Sequence, residues 1–242
     1  MRKSEYSISN STIKEEGILI KIKQKYRIIT ILSLAIIGFA GYYFWYYRTI
    51  DIQEVPVIAR MQDKRFSGKV IAIQPMGEIE KTHIDSISRL FKELYDIETK
   101  VLPVIPIPKK TFMEDRKQYS AGLLNDYLAG QRKNYFKLMG VIDEDMAVPA
   151  HAYLFGLASL SRDVFVVSLT RLRESYYHRK ENSKLFRSRL YKITMHEYGH
   201  TFGLSHCLST GTCLMRFIGS VRDLDYSDCG FCWVCCQRIR LP

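Results

Sequence analysis

The sequence predicts an α/β fold, a twisted mixed sheet packed by helices, preceded by one transmembrane helix. Three observations carry this. From residue 68 onward, short apolar runs with strand character alternate with apolar residues at helical spacing. Eleven residues near the C-terminus hold three of the six histidines at intervals that fit one helix and its exit. Twenty residues at positions 28–47 contain no charge, the length that crosses a bilayer's hydrocarbon core.

The elements follow in order. Residues 70–74 read as a buried strand ended by Pro75 and Gly77, and Ile84, Ile87, Leu90, Phe91 and Leu94 then recur at helical spacing. Residues 98–102 form a short strand, after which Pro103, Pro106 and Pro108 forbid helix. Ser120 caps a helix through Leu128 or somewhat beyond, ahead of a strand at 138–142. Residues 152–158 and 164–168 flank a turn at 159–162, a plausible hairpin. Ser183 opens the helix that carries the histidines, with Phe186, Leu190, Ile193 and Glu197 on one face and its apolar part against the sheet.

That helix ends in His196-Glu197-Tyr198-Gly199-His200-Thr201-Phe202-Gly203-Leu204-Ser205-His206, the spacing HExxHxxGxxH. His196 and His200, four apart, offer two imidazoles to one metal. Gly203 permits the sharp exit that folds His206 back as a third ligand, leaving a fourth position open to water. Three neutral imidazoles leave zinc its full charge, which acidifies its water and polarises a carbonyl. Glu197 lies between two ligands without being one, placed to act as general base. The chemistry is that of a zinc peptidase.

Downstream, Met215 stands nine residues after His206, Cys207 follows the last histidine, Cys213 opens a Cys-Leu-Met triplet, and Cys232-Trp233-Val234-Cys235 forms a CxxC. Here the chain resembles the archaemetzincins, metzincin-like zinc peptidases marked by HExxHxxGxxHC, CxM and CxxC. The resemblance extends over residues 68–236, through VIAIQPMGE (70–78), LMGVID (138–143), YLFGLA (153–158) and VVSLTRLR (166–173). It implies a C-terminal subdomain in which Cys207, Cys213, Cys232 and Cys235 hold a second, structural zinc, with Met215 in a turn beneath the first. It also implies an edge strand that pairs with substrate, for which 153–158 is the candidate; an ordinary internal strand is the alternative. The chain departs from the family in the five residues between Cys207 and Cys213, where four are usual, and in the extra Cys229 and Cys236. By spacing alone Cys229/Cys232 would serve as a knuckle as well as Cys232/Cys235, and six cysteines also admit a disulfide framework. Some metzincins place a Tyr two residues after the turn Met; this chain has Phe217.

The chain divides into a basic cytoplasmic tail (1–27), a transmembrane anchor (28–47), a linker (48–67) and the peptidase domain (68–242). Lys14, Lys21, Lys23, Lys25 and Arg27 precede the apolar run, and Tyr42, Tyr43, Trp45, Tyr46 and Tyr47 crowd its far end. The positive-inside rule keeps the N-terminus cytoplasmic and sends the catalytic domain outward. A cleaved signal peptide, with Gly38-Phe39-Ala40 as its cleavage site, is the competing reading, which the bulky aromatics beyond it oppose. Of the net charge of +11, residues 1–50 carry eight Lys/Arg against three Glu. Much of the excess is therefore topogenic and lipid-facing, and no basic-aromatic motif points to nucleic acid. Asp143, Glu144 and Asp145 read as a solvated turn, the basic run at 171–189 as a solvated face, and His83, His151 and His178 as local.

Function read from these residues is a membrane-anchored zinc metallopeptidase with two zincs per chain and a peptide or protein substrate. Two alternatives share the motif: a zinc-stabilised binding module, which would not need Glu197, and a zinc hydrolase of a non-peptide amide.

Overall fold

The computed structural model describes Gly38 and residues 68–208, 213–227 and 230–239. The expected tail, the linker and, but for Gly38, the anchor lie outside the described residues, as does Cys229. No helix among the described residues is long and apolar enough to cross a membrane.

The chain runs β1 (Val70–Met76), α1 (Lys81–Tyr95), β2 (Glu98–Val101), β3 (Phe112–Met113), β4 (Gln118–Ser120), α2 (Ala121–Gln131), β5 (Lys137–Ile142), β6 (Met146–Val148), β7 (His151–Leu154), β8 (Gly156–Ser159), β9 (Val164–Ser168), α3 (Ser183–His200), α4 (Val221–Tyr226) and α5 (Trp233–Arg238), with short 3-10 turns between. The main sheet has the order β2-β1-β5-β9-β8, parallel except for β8, which pairs antiparallel with β9. A smaller sheet, β3-β4-β6-β7, lies alongside in the topology.

Strand alternation sorts the core into two layers. Ile71, Ile73, Met139, Val141, Phe165 and Val167 pack with α1 and α3, while Ala72, Met76, Leu138, Ile142, Val164 and Val166 pack with α2. Covered on both faces, β5 and β9 are buried along their whole length, which is why they read as continuous apolar runs. α1 buries Ile84, Ile87, Leu90 and Phe91 and ends at Asp96, whose left-handed backbone lets its own N–H donate to the Lys92 carbonyl and the Ile97 N–H to the Phe91 carbonyl. Ser120 caps α2 as expected, its hydroxyl accepting from the Leu123 N–H.

Four expectations are corrected. β1 does not stop before Pro75 but continues to Met76. β2 has ended by then, and the Pro75 nitrogen faces the side where the chain beyond β2 makes isolated bonds, Leu102 N–H to the Ile73 carbonyl and Ile105 N–H to the Pro75 carbonyl. The missing donor therefore costs no ladder bond. The single strand expected at 152–158 is two: β7 pairs with β6 in the small sheet, β8 with β9 in the large one, and Phe155 turns between them.

The acidic turn and the basic run are solvated only in part, at Glu144, Arg179, Lys180, Lys184 and Arg187, and they are not independent. Arg173 grips Asp143 at 2.5 and 2.6 Å, and Arg171 grips Asp145 at 2.6 Å twice. Arg189 is 1% exposed and pairs with Asp225 at 2.7 and 2.8 Å and with Glu174 at 2.8 Å. Lys192 is buried too, donating to the carbonyls of Leu224 and Asp225. Thus α3 presents no single apolar stripe. It is enclosed by the sheet on one side and by the C-terminal segment on the other, and its buried cations tie it to α4.

Candidate active site and cysteine cluster

Asn182 caps the start of α3, its side-chain oxygen accepting from the Leu185 N–H at 3.0 Å. Fourteen residues later the helix delivers His196, Glu197 and His200 to a cleft of about 550 Å³. Gly203 adopts φ +80°, a conformation glycine reaches without strain, and the chain turns back to bring His206 alongside. The ring centroids lie 4.6 Å (His196–His200), 5.0 Å (His200–His206) and 5.5 Å (His196–His206) apart, and one nitrogen from each ring falls within 4.8 Å of the others.

The hydrogen bonds fix which nitrogens converge. His196 Nδ1 sits 2.7 Å from the Leu214 carbonyl and His200 Nδ1 2.6 Å from the Leu204 carbonyl. A carbonyl only accepts, so both Nδ1 atoms carry the proton and both Nε2 atoms keep a lone pair. Those two Nε2 atoms face each other at 3.0 Å. Two lone pairs so close call for a cation between them, and the separation is near the tetrahedral edge of about 3.3 Å for zinc–nitrogen bonds of about 2.0–2.1 Å. Burial pushes the His196 imidazolium down to about 3, with His200 and His206 adding to the effect. Burial also lowers His200 and His206, so all three stay neutral, as ligands must.

Glu197 is buried beside them. Burial pushes its carboxyl up to about 8, opposed by a hydrogen bond from the backbone of Ala158. A cation at the imidazoles would pull that value back toward the ionised form. Met215 is fully buried under the helix, where a Cβ on Gly199 would come 2.5 Å from its sulfur. It lies in a tight turn closed by the Arg216 N–H on the Cys213 carbonyl, and its own carbonyl accepts from the Cys207 N–H at 2.7 Å. Phe217 meets the edge of His206 at 5.3 Å and brings no hydroxyl.

Cys207, Cys213, Cys232 and Cys235 converge, their sulfurs within 4.8 Å of one another. Cys207 and Cys232 lie 3.7 Å apart and Cys213 and Cys235 3.8 Å apart. Disulfide sulfurs are about 2.05 Å apart, whereas four thiolates bonded to zinc at about 2.3 Å define a tetrahedron of edge about 3.8 Å. The Cys232 N–H donates to the Cys213 sulfur at 3.3 Å, and the Cys236 thiol turns to the Phe231 carbonyl instead. Burial pushes the Cys213 thiol up to about 11, and burial with neighbouring Cys213 raises Cys235 as well. Thiolates crowded here call for a cation. The residues at both places thus fit zinc by donor type and by spacing.

Two features of the cleft were not singled out in the sequence. Tyr153 donates to the Gly219 carbonyl at 2.9 Å, joining the two sides of the cleft, with the Arg171 guanidinium 4.0 Å above its ring. Gly156 lies against Glu197. A glycine inside a strand run signals close approach of something to the backbone, though not of what.

The model of a family described as Peptidase family M54 matches residues 84–241. The archaemetzincin of Saccharolobus solfataricus is 36% identical over 175 residues, spanning 70% of this chain and 92% of that protein. The archaemetzincin of Methanocaldococcus jannaschii is 29% identical over 170 residues. Among solved structures, the archaemetzincin of Archaeoglobus fulgidus superposes with a TM-score of 0.62 at 29% identity, covering 70% of this chain and 99% of that one. That of Methanopyrus kandleri gives 0.61 at 29%, covering 72% and 94%. Fold, site and these likenesses define the class: a zinc metallopeptidase, a hydrolase. Within it the chain belongs to peptidase family M54, the archaemetzincins.

Proposed function

We propose that the chain cleaves peptide or protein substrates at a zinc held by His196, His200 and His206, with Glu197 as general base, and that Cys207, Cys213, Cys232 and Cys235 hold a second, structural zinc. The observation that carries the reading is the pair of Nε2 lone pairs facing each other at 3.0 Å, with each Nδ1 tied to a carbonyl. Zinc, when bound, supplies Lewis acidity to a carbonyl and to water. The chain supplies the rest. Glu197 lies next to the histidines and outside their ligand set; it takes the proton of the attacking water and passes it to the leaving amine. β8 ends the main sheet, and no described strand covers its far side, which leaves an edge for an extended substrate to pair with. The four-cysteine zinc ties the C-terminal segment to the Met215 turn, doing by coordination what so short a segment cannot do by burial.

We further propose that residues 28–47 anchor the chain, with the N-terminus cytoplasmic and the catalytic domain outside. Their uncharged length and basic flank support this.

The test compares the full chain with its Glu197→Gln variant for zinc per chain and for cleavage of a diverse peptide library. The reading expects about two zincs in both and cleavage by the native chain alone. Cleavage by the variant would remove Glu197 from its role, and zinc-loaded native chain that cuts no peptide would point to a non-peptide amide.

A further inference from the structure

Gly156 opens the edge strand β8 at the point where it passes the active-site carboxylate. Its φ is not in the left-handed region, which among the described glycines holds only Gly68, Gly77 and Gly203, so the backbone there does not require glycine. Space does. A Cβ at Gly156 would fall 2.7 Å from Glu197 Oε1 and 2.8 Å from its Cδ, distances real Cβ atoms do not show. Glu197 has little room to give way, being 5% exposed and rooted in the buried helix α3.

The strand register explains why the carboxylate lies there. The Ser168 N–H bonds to the Phe155 carbonyl, so Phe155, Leu157 and Ser159 direct their backbone groups at β9, while those of Gly156 and Ala158 point out from the sheet edge. The backbone of Ala158 is close enough to the Glu197 carboxylate to act on it. To lie there the carboxylate must cross the face of residue 156, which it can do only over a residue without a side chain.

We propose that Gly156 is a positioning residue for the general base: its missing side chain lets the Glu197 carboxylate lie against the edge strand, where a side chain at residue 156 would displace it. The inference rests on Glu197 being the base.

The test is a four-member cycle in the full chain: native, Gly156→Ala, Glu197→Asp, and both together, each measured for zinc per chain, kcat and KM on one peptide. Displacing a catalytic group by about 1 Å costs on the order of 100-fold, so Gly156→Ala should lower kcat by about that factor, with zinc content unchanged and KM within about threefold. Aspartate is one methylene shorter and frees the space, so in the Glu197→Asp background the same glycine substitution should cost under about threefold. If Gly156→Ala fails to fold or to hold zinc, its recovery by Glu197→Asp supports the proposal equally. Equal losses in both backgrounds, no loss in either, or a fold lost in both would overturn it. An active Glu197→Gln variant would instead strike the assignment of the base, a separate failure.

Discussion

Replacing Asp225 by Ala should destabilise the domain far more than replacing its partner Arg189 by Met. Arg189 is 1% exposed, and Asp225 supplies two of its hydrogen bonds, at 2.7 and 2.8 Å. Asp225→Ala strands the guanidinium in the interior with Glu174 and the Leu172 carbonyl as its remaining partners. Breaking a buried pair this way costs about 3–5 kcal/mol; since Glu174 still offsets the charge, about 3 kcal/mol is expected. For a domain of this size that is a drop in Tm of about 6–12 °C. Arg189→Met leaves a different remainder: Asp225 is 28% exposed at its side chain and reaches water, and Glu174 keeps Arg179 at 2.9 Å. Its cost should be about 1–2 kcal/mol. Thermal unfolding of the zinc-loaded full chain, followed by circular dichroism, reads both. A shift under about 2 °C for Asp225→Ala, or a larger one for Arg189→Met, would refute the claim that the buried cation needs this partner.

Three further outcomes are expected. Gly199→Ala places a methyl 2.5 Å from the Met215 sulfur and 2.9 Å from Phe231 Cε1, so it should cost about 1–3 kcal/mol and hasten zinc loss to a chelator, with Met215→Ala restoring much of both; unchanged zinc release would show the turn is not a platform. In the metal-free chain His196 titrates at about 3 when folded against about 6.5 unfolded. The unfolded state therefore binds the extra proton, and urea stability should fall as pH drops from about 6.5 toward 3. Glu197, raised to about 8, acts oppositely, its contribution being lost as pH rises from about 4.5 to 8. His196→Asn should flatten the acid slope, and an unaltered slope would contradict the assignment. Finally, protease added outside intact cells should digest the catalytic domain, while an N-terminal tag stays protected until the membrane is opened; full protection of the domain would reverse the proposed topology.

Much of the site was legible because its physics is local. HExxHxxGxxH encodes a helical face and a glycine exit within eleven residues, and the observed φ of +80° at Gly203 is what that exit requires. The convergence of Cys207, Cys213, Cys232 and Cys235 was expected from the resemblance, and their sulfurs, 3.7 and 3.8 Å apart in pairs, lie as a group that could hold a metal ion. Helix α1 and strands β5 and β9 appeared through periodicity or unbroken apolarity. What stayed hidden depends on partners distant in sequence. Pro75 looked like a strand stop because nothing local reveals that β2 ends before reaching it. Arg171, Arg173 and Arg189 looked like a solvated face because Asp145, Asp143 and Asp225 lie 26, 30 and 36 residues away. The split of 152–158 into β7 and β8 arises because they pair with strands of different sheets, and the contact of Gly156 with Glu197 arises only when α3 packs against β8.

X-ray absorption at the zinc edge, with metal content measured on the same full-length sample, tests the central claim most directly. Two zincs should share an average shell of roughly half sulfur at about 2.3 Å and half nitrogen or oxygen at about 2.0–2.1 Å, and Cys213→Ser with Cys235→Ser should remove the sulfur while the imidazole signal stays. A single zinc without sulfur, or a shell of sulfur alone, would contradict one site or the other.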